Sequence, residues 1–313
     1  MNKNIDSVSI AIGSSMYGRF EDLPNTSSHV LAEFIDNALQ SSRDRRQELL
    51  AIDPKYKLRV IINITWDETE TRPEKRIATQ FHVEDNAGGI SVERFPHAFE
   101  PAYTPENNTG LNEFGMGLKT AACWLGKHWI VKTKALGEDV ARIVEFDQNS
   151  VQTQNLDSVP VKSEDAAISS HYTIVDIDSP TKNVPLERSI GKIRAELASI
   201  YRNALRNDEM DIYVNDEALS FSEYNVLTAP SVKDPDGPNI TWKKEFTFNF
   251  GKYKAVGFLA LLRDINNQQN GLVLSRRGRV IIGAESDGRY FPKCLCGSPG
   301  NFRYKRYDFK RNA

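Results

Sequence analysis

Cysteine is scarce in this chain. Three in 313 residues are too few, and an odd number, for a disulfide framework, so a reducing compartment is expected. No run of about 18 apolar residues occurs, which excludes a membrane-spanning helix. The opening MNKNIDSVSI lacks the basic and apolar regions of a secretory leader, so a cytoplasmic protein is expected. Forty Lys and Arg against 42 Asp and Glu leave a net charge of −2, so no global charge draws the chain to nucleic acid and only a local patch can. Internal repeats and low-complexity tracts are missing as well. The commoner phosphate motifs also fail. Gly110 and Gly115 have the P-loop gap, but Met116 stands where lysine is required. A dinucleotide fingerprint would need glycine at position 120, where Thr120 is found.

What remains is 40% hydrophobic and 26% charged, the composition of a globular protein, and the length suits two domains. SVSIAIG (7–13) reads as a strand. A helix is expected from Ser27 through the charged SRDRRQELLA to Asp53-Pro54, with Asn25, Thr26 or Ser27 as its N-cap. KLRVIINITWD (57–67) and RIATQFHVED (76–85) carry the β-branched enrichment of strands and form a hairpin around ETETRPEK. Residues 91–109 lack periodicity and read as a long loop, after which LKTAACWLG starts a short helix. HWIVKTKAL (128–136), DVARIVEFD (139–147) and HYTIVDID (171–178) follow as strands. Helices and antiparallel strands in this order imply an α+β sandwich, with helices on one face of a mixed sheet. The composition changes near Pro180. An amphipathic helix over 186–206 and further strands beyond it place a second unit at 183–313, after a first at 1–182.

The organising stretch is SSHVLAEFIDNALQ (27–40). On a helix, Val30, Leu31, Phe34, Ile35 and Ala38 share an apolar side, while Glu33, Asp36 and Asn37 lie opposite, Glu33 and Asn37 one turn apart. Two glycine-bearing stretches follow, VEDNAGGIS (83–91) and GLNEFGMGLKT (110–120).

Together, in this order, the three stretches resemble the motifs of the GHKL superfamily over roughly residues 25–180. That superfamily joins DNA gyrase, MutL, the large heat-shock chaperone, histidine kinases and the MORC proteins in one ATP-binding fold, the Bergerat-type α/β sandwich. The resemblance implies a role for each matching residue. Glu33 would be the general base for the water attacking the γ-phosphate, and Asn37 a Mg²⁺ ligand. Asp85 would accept a hydrogen bond from the adenine amino group, selecting adenine over a keto base. Gly88 and Gly89 would let the chain turn at the base edge. Gly110, Phe114, Gly115, Met116, Gly117, Leu118 and Lys119 would form the phosphate-facing lid, with Lys119 its charge partner. Thr173 would help hold adenine. The lid most resembles the G-x-x-x-[YF]-G-x-G-x-K motif of MORC-type proteins. Ala87 replaces the first glycine of the D-x-G-x-G pattern, and Gln40 stands where an acid is common.

The resemblance also implies a smaller α/β transducer-like domain after the ATPase unit, returning a basic side chain to the γ-phosphate. Arg276 or Arg277 of the SRRGR turn (275–279) is the candidate. The expected function is a Mg²⁺-dependent ATPase acting as an ATP-gated homodimeric clamp, with DNA as a partner and no membrane. The alternatives are a chaperone-like remodelling ATPase and a non-hydrolysing ATP sensor. NFRYKRYDFKR reads as an edge strand with its charges outward, and Cys294-Leu295-Cys296 as structural. The abrupt end at KRNA suggests one part of a longer protein.

Overall fold

The computed structural model describes residues 14–99, 117–222, 224–251, 253–264, 271–284 and the backbone of 305–312. The 7–13 strand, most of the lid and the Cys294–Cys296 pair lie outside these residues.

A short 3-10 helix, Ser14–Asp22, leads to α1 (Ser27–Asp44) and α2 (Arg46–Ile52). Thr26 is the N-cap, its hydroxyl accepting from the His29 N–H at 3.3 Å. The apolar stripe of α1 is buried as its periodicity predicts, from Val30 to Leu39. The expected single helix breaks at Arg45, a residue whose guanidinium is used elsewhere.

β1 (Leu58–Trp66) and β2 (Ala78–Asp85) pair antiparallel, with Leu58, Val60, Ile62 and Ile64 buried in alternation. α3 (Phe95–Phe99) and α4 (Gly117–Leu125) flank the lid. β3 (Gly126–Lys134), β4 (Val140–Asp147), α5 (Gln148–Thr153), β5 (Val161–Asp165) and β6 (Tyr172–Pro180) follow. The expected 186–206 helix is α6 (Ile190–Ile200) and α7 (Arg202–Arg206), interrupted at Tyr201. β7 (Met210–Val214) and β8 (Glu217–Ala218) come next.

Among the described residues these strands form one eight-stranded sheet, ordered β5-β4-β3-β6-β2-β1-β7-β8. All its pairings are antiparallel except β1 with β7, which is parallel and therefore needs the crossover that α6 and α7 supply. The sheet is mixed and the helices pack on it, an α+β sandwich. The composition break near residue 182 falls in the connection from β6 to β7, two members of this same sheet.

A small pair, β9 (Thr228–Ala229) and β10 (Ile240–Thr241), precedes a second sheet. Its strands are β11 (Lys243–Phe250), β12 (Tyr253–Leu261), β13 (Leu272–Arg276), β14 (Arg279–Ile282) and β15 (Lys305–Asn312), in the order β11-β12-β15-β13-β14. The C-terminal stretch is a strand as expected but not an edge strand. It lies between β12 and β13, pairing along its length with both. No helix among the described residues is long and apolar enough to cross a membrane.

Candidate functional site

Three polar residues of α1 recur every fourth position: Glu33, Asn37 and Ser41. The axial span from the first to the last is about 12 Å at the α-helical rise. Each end of this stripe meets a glycine of a different stretch. A Cβ added to Gly117, the first residue of α4, would stand 2.5 Å from Glu33 Oε2. At the other end the Ser41 hydroxyl donates to the Gly89 carbonyl at 3.4 Å. The stripe therefore runs from the start of the lid helix to the turn after β2, with Asn37 midway.

That turn is held from several sides. Asp85 closes β2, and its carboxylate accepts from the Ala87 N–H at 2.8 Å, a local Asx turn. The Asn86 side chain bridges to β1, accepting from the Arg59 N–H and donating to the Lys57 carbonyl. His171 Nδ1 lies 2.9 and 3.0 Å from the carbonyls of Asn86 and Ala87. Arg45, at the junction of α1 and α2, donates to the carbonyls of Gly88 (3.1 Å) and Leu136 (3.0 Å). Gly89 has φ +68, and a Cβ on it would stand 2.1 Å from the Lys134 carbonyl oxygen. Only glycine fits so close to the end of β3.

Asp85 and Thr173 are direct register partners on β2 and β6. The Thr173 hydroxyl is 3.0 Å from that of Thr133, which accepts in turn from the Ile90 N–H. Burial pushes the Asp85 carboxyl up to about 7, with the Ala87 N–H pulling it back. Because this folded-state value is raised, the group's contribution to stability is present at acid pH and is lost as pH rises through about 7.

Other sequence expectations are placed differently. Asp36, expected on the polar side of α1, is buried. Tyr201 Oη lies 2.7 Å from its carboxylate and 2.7 Å from the Ala32 carbonyl. Arg279 also contacts the Asp36 carboxylate, and its guanidinium lies 3.7 Å from Glu33 Oε1. Burial raises Asp36 to about 7, while Arg279 and the Tyr201 hydroxyl pull it down. Arg279 of the SRRGR turn is thus ion-paired to Glu33. Arg277 and Gly278, at φ 52 and 86, make the hairpin turn itself, and the Arg277 carbonyl accepts from Arg43 at 2.8 Å. Arg276, on β13, sits opposite Arg279 in register. Lys119 is buried, with its ammonium donating to the Ala98 carbonyl at 3.2 Å. Leu118 packs against the core. Gly110, Phe114, Gly115 and Met116 lie outside the described residues. Sequence reasoning did not single out Arg45, Asn86, His171, Tyr201 or Arg279, although Asn86, His171 and Arg279 lie in stretches it read, because their partners are distant in the chain.

The profile of the family described as "Histidine kinase-, DNA gyrase B-, and HSP90-like ATPase" matches residues 25–176. No curated protein matches the chain. Among solved structures, the ATPase region of Saccharomyces cerevisiae topoisomerase II is similar at TM-score 0.47 and 13% identity, covering 80% of this chain and 61% of that one. The same region bound to ICRF-187 (dexrazoxane) gives TM-score 0.46 and 14% identity, covering 81% and 62%. The chain thus spans less than two thirds of the length of those structures. The profile match takes in α1, the β2 turn, the start of α4 and most of β6. Residues 25–176 of this chain thus match the profile of a GHKL-type ATPase family.

Proposed function

We propose that this chain is a Mg²⁺-dependent ATPase, MORC-like, that works as an ATP-gated homodimerisation switch and closes on DNA. The observation that carries it is the α1 stripe, with Glu33 against the first residue of α4 and Ser41 against Gly89 beside Asp85 and Thr173. Its length suits a nucleotide laid with the base at the β2 turn and the phosphates at α4. In this reading Asp85 and Thr173 bind adenine. Gly88 and Gly89 leave room for the base edge, and the α4 N-terminus from Gly117 faces the anion. Glu33 takes the proton of the attacking water. Asn37 would hold Mg²⁺ through its amide oxygen, an oxygen donor of the kind that ion prefers, and the ion would supply charge neutralisation at the phosphate oxygens. The lid positions Gly110, Phe114, Gly115, Met116, Leu118 and Lys119, and Arg276 and Arg277 of the hairpin, are carried into the proposal as the remainder of the nucleotide's surroundings. The two units divide near residue 182, with the segment from α6 to β8 built onto the nucleotide sheet. The scarcity of cysteine supports a cytoplasmic setting.

Asp85→Asn keeps the shape but removes the charge. A hydrogen bond to a charged group is worth about 1.5–3 kcal/mol, so ATP affinity should fall roughly 10- to 100-fold. In the unaltered protein a donor from the ligand favours the carboxylate, so ATP should bind most tightly above pH 7 and lose up to about tenfold per pH unit below it. Calorimetric titration with ATP from pH 8 to 6 measures both. Equal affinity of the two proteins at pH 8 would remove Asp85 from the site.

The switch is tested by sizing the protein with a non-hydrolysable ATP analogue, with and without duplex DNA. A dimer with the analogue, retained on DNA, is expected. A monomer under every condition rules out the clamp.

A further inference from the structure

We infer that Arg279 is a positioning residue. Carried by β14 of the second sheet, it grips Asp36 and so sets the place of Glu33 on α1, which makes the second sheet a governor of the base. This rests on the reading of Glu33 as that base.

The geometry is specific. Glu33 and Asp36 stand three residues apart on α1, so their side chains leave the helix on neighbouring lines. One nitrogen of Arg279, Nη1, contacts Asp36 Oδ2 and lies 3.7 Å from Glu33 Oε1. The Asp36 carboxylate is 5% exposed and the Arg279 side chain 19%, whereas Glu33 is 40% exposed. Asp36 is thus the anchor, tied on its other oxygen side by Tyr201, and Glu33 is the member left free to meet a ligand. The groups facing Arg279 come from two directions, Glu33 and Asp36 on α1 and Tyr201 between α6 and α7.

The hairpin that carries Arg279 is itself clamped to α1 at a second place. Arg43 donates to the Arg277 carbonyl at 2.8 Å and pairs with both carboxylate oxygens of Glu209, at 2.7 and 2.9 Å. Asn203 on α7 reaches the Ser275 hydroxyl and the Gly278 carbonyl at 3.3 and 3.4 Å. Asp36 and Arg43 are about two helical turns apart. Two fixed points along one helix define a register between hairpin and helix. A displacement of the second sheet along α1 therefore carries Arg279 past the carboxylate it steadies. A structural ion pair would need only Asp36; the reach to the half-exposed Glu33 is what a purely structural pair does not require.

The test compares steady-state ATP hydrolysis and ATP binding in the full chain for Arg279→Met, Arg279→Lys, Glu33→Gln and the double variant Arg279→Met with Glu33→Gln. A misplacement of about 1 Å at a reacting group can cost on the order of 100-fold, so Arg279→Met should lower kcat about 10- to 100-fold with KM and ATP affinity within about threefold. Arg279→Lys should recover part of that loss, since it keeps the charge but offers it as a compact, more strongly hydrated ammonium in place of the planar guanidinium. The double variant should be no slower than Glu33→Gln alone, because Arg279 acts through Glu33. Wild-type kcat in Arg279→Met, or a further loss of similar size on the Glu33→Gln background, overturns the inference. If thermal melting shows that Arg279→Met does not fold, Arg279→Lys decides: wild-type kcat there overturns it equally. Should Glu33→Gln turn over at the wild-type rate, the assignment of the base fails instead, and the two failures are told apart.

Discussion

Glu33→Gln is expected to reduce ATP turnover by about 100- to 10,000-fold, the range a positioned general base contributes. ATP affinity should stay within about threefold, because the substitution preserves the shape of a side chain that meets attacking water rather than the purine. In the proposed mechanism the amide cannot take the proton that the water gives up. Glutamine also keeps the packing against Gly117, where the Glu33 Oε2 atom lies 2.5 Å from the place of an added Cβ. A change in stability should therefore be small. Phosphate release and equilibrium ATP binding, measured on both proteins, separate catalysis from binding. Equal release from the two would leave an ATP-binding module without hydrolysis at Glu33, the sensor alternative.

The second large effect is on folding. Gly89→Ala should cost on the order of 3–5 kcal/mol, since a left-handed backbone strains any side chain and the added carbon also collides. The collision is with backbone: the Lys134 carbonyl oxygen at 2.1 Å, its carbon at 2.6 Å and the Ala135 Cα at 2.8 Å. No rotamer change relieves contacts of that kind, so either the β2 turn or the end of β3 must move. Both line the proposed purine site, and ATP binding should weaken with stability. Two neighbouring substitutions serve as references. Gly88→Ala meets the Arg45 side chain, nearest at Cδ (2.6 Å), and a flexible side chain can swing aside. Gly137→Ala has φ +84 but nothing within 4 Å, so it isolates the strain, about 1 kcal/mol. Urea denaturation of the three variants gives the ranking. If Gly89→Ala is as stable as Gly137→Ala, the close approach to β3 does not constrain this turn.

Such large effects arise where a short motif meets a distant backbone, and the same division separates what could be read beforehand from what could not. The α1 helix, its Thr26 cap and its apolar stripe follow from local spacing, and so do β1, β2 and the glycine turn between β2 and α3. The short β5 and α5 went unread because neither shows a clear periodicity: β5 is exposed along its whole length, and α5 is six mostly polar residues with only Gln148 and Val151 buried. The long helices were read as continuous because nothing local marks Arg45 or Tyr201 as an end. Each has side-chain partners far off in the chain, Arg45 the Gly88 and Leu136 carbonyls and Tyr201 the Asp36 carboxylate.

By itself the sequence determined the main helices and strands of the first sheet, the glycine turn after β2, and the ordered triple that matches a GHKL nucleotide unit. The reason is that helix and strand periods and glycine's freedom are properties of a few consecutive residues. Only the tertiary structure decided that β7 returns parallel beside β1, that β15 lies inside its sheet, and that Asp36 is buried. It also decided that Arg279, at the far end of the SRRGR turn, stands against Glu33. These depend on strand pairing and packing between residues as far apart as 36 and 279, and such pairings leave no trace in the local pattern of either partner.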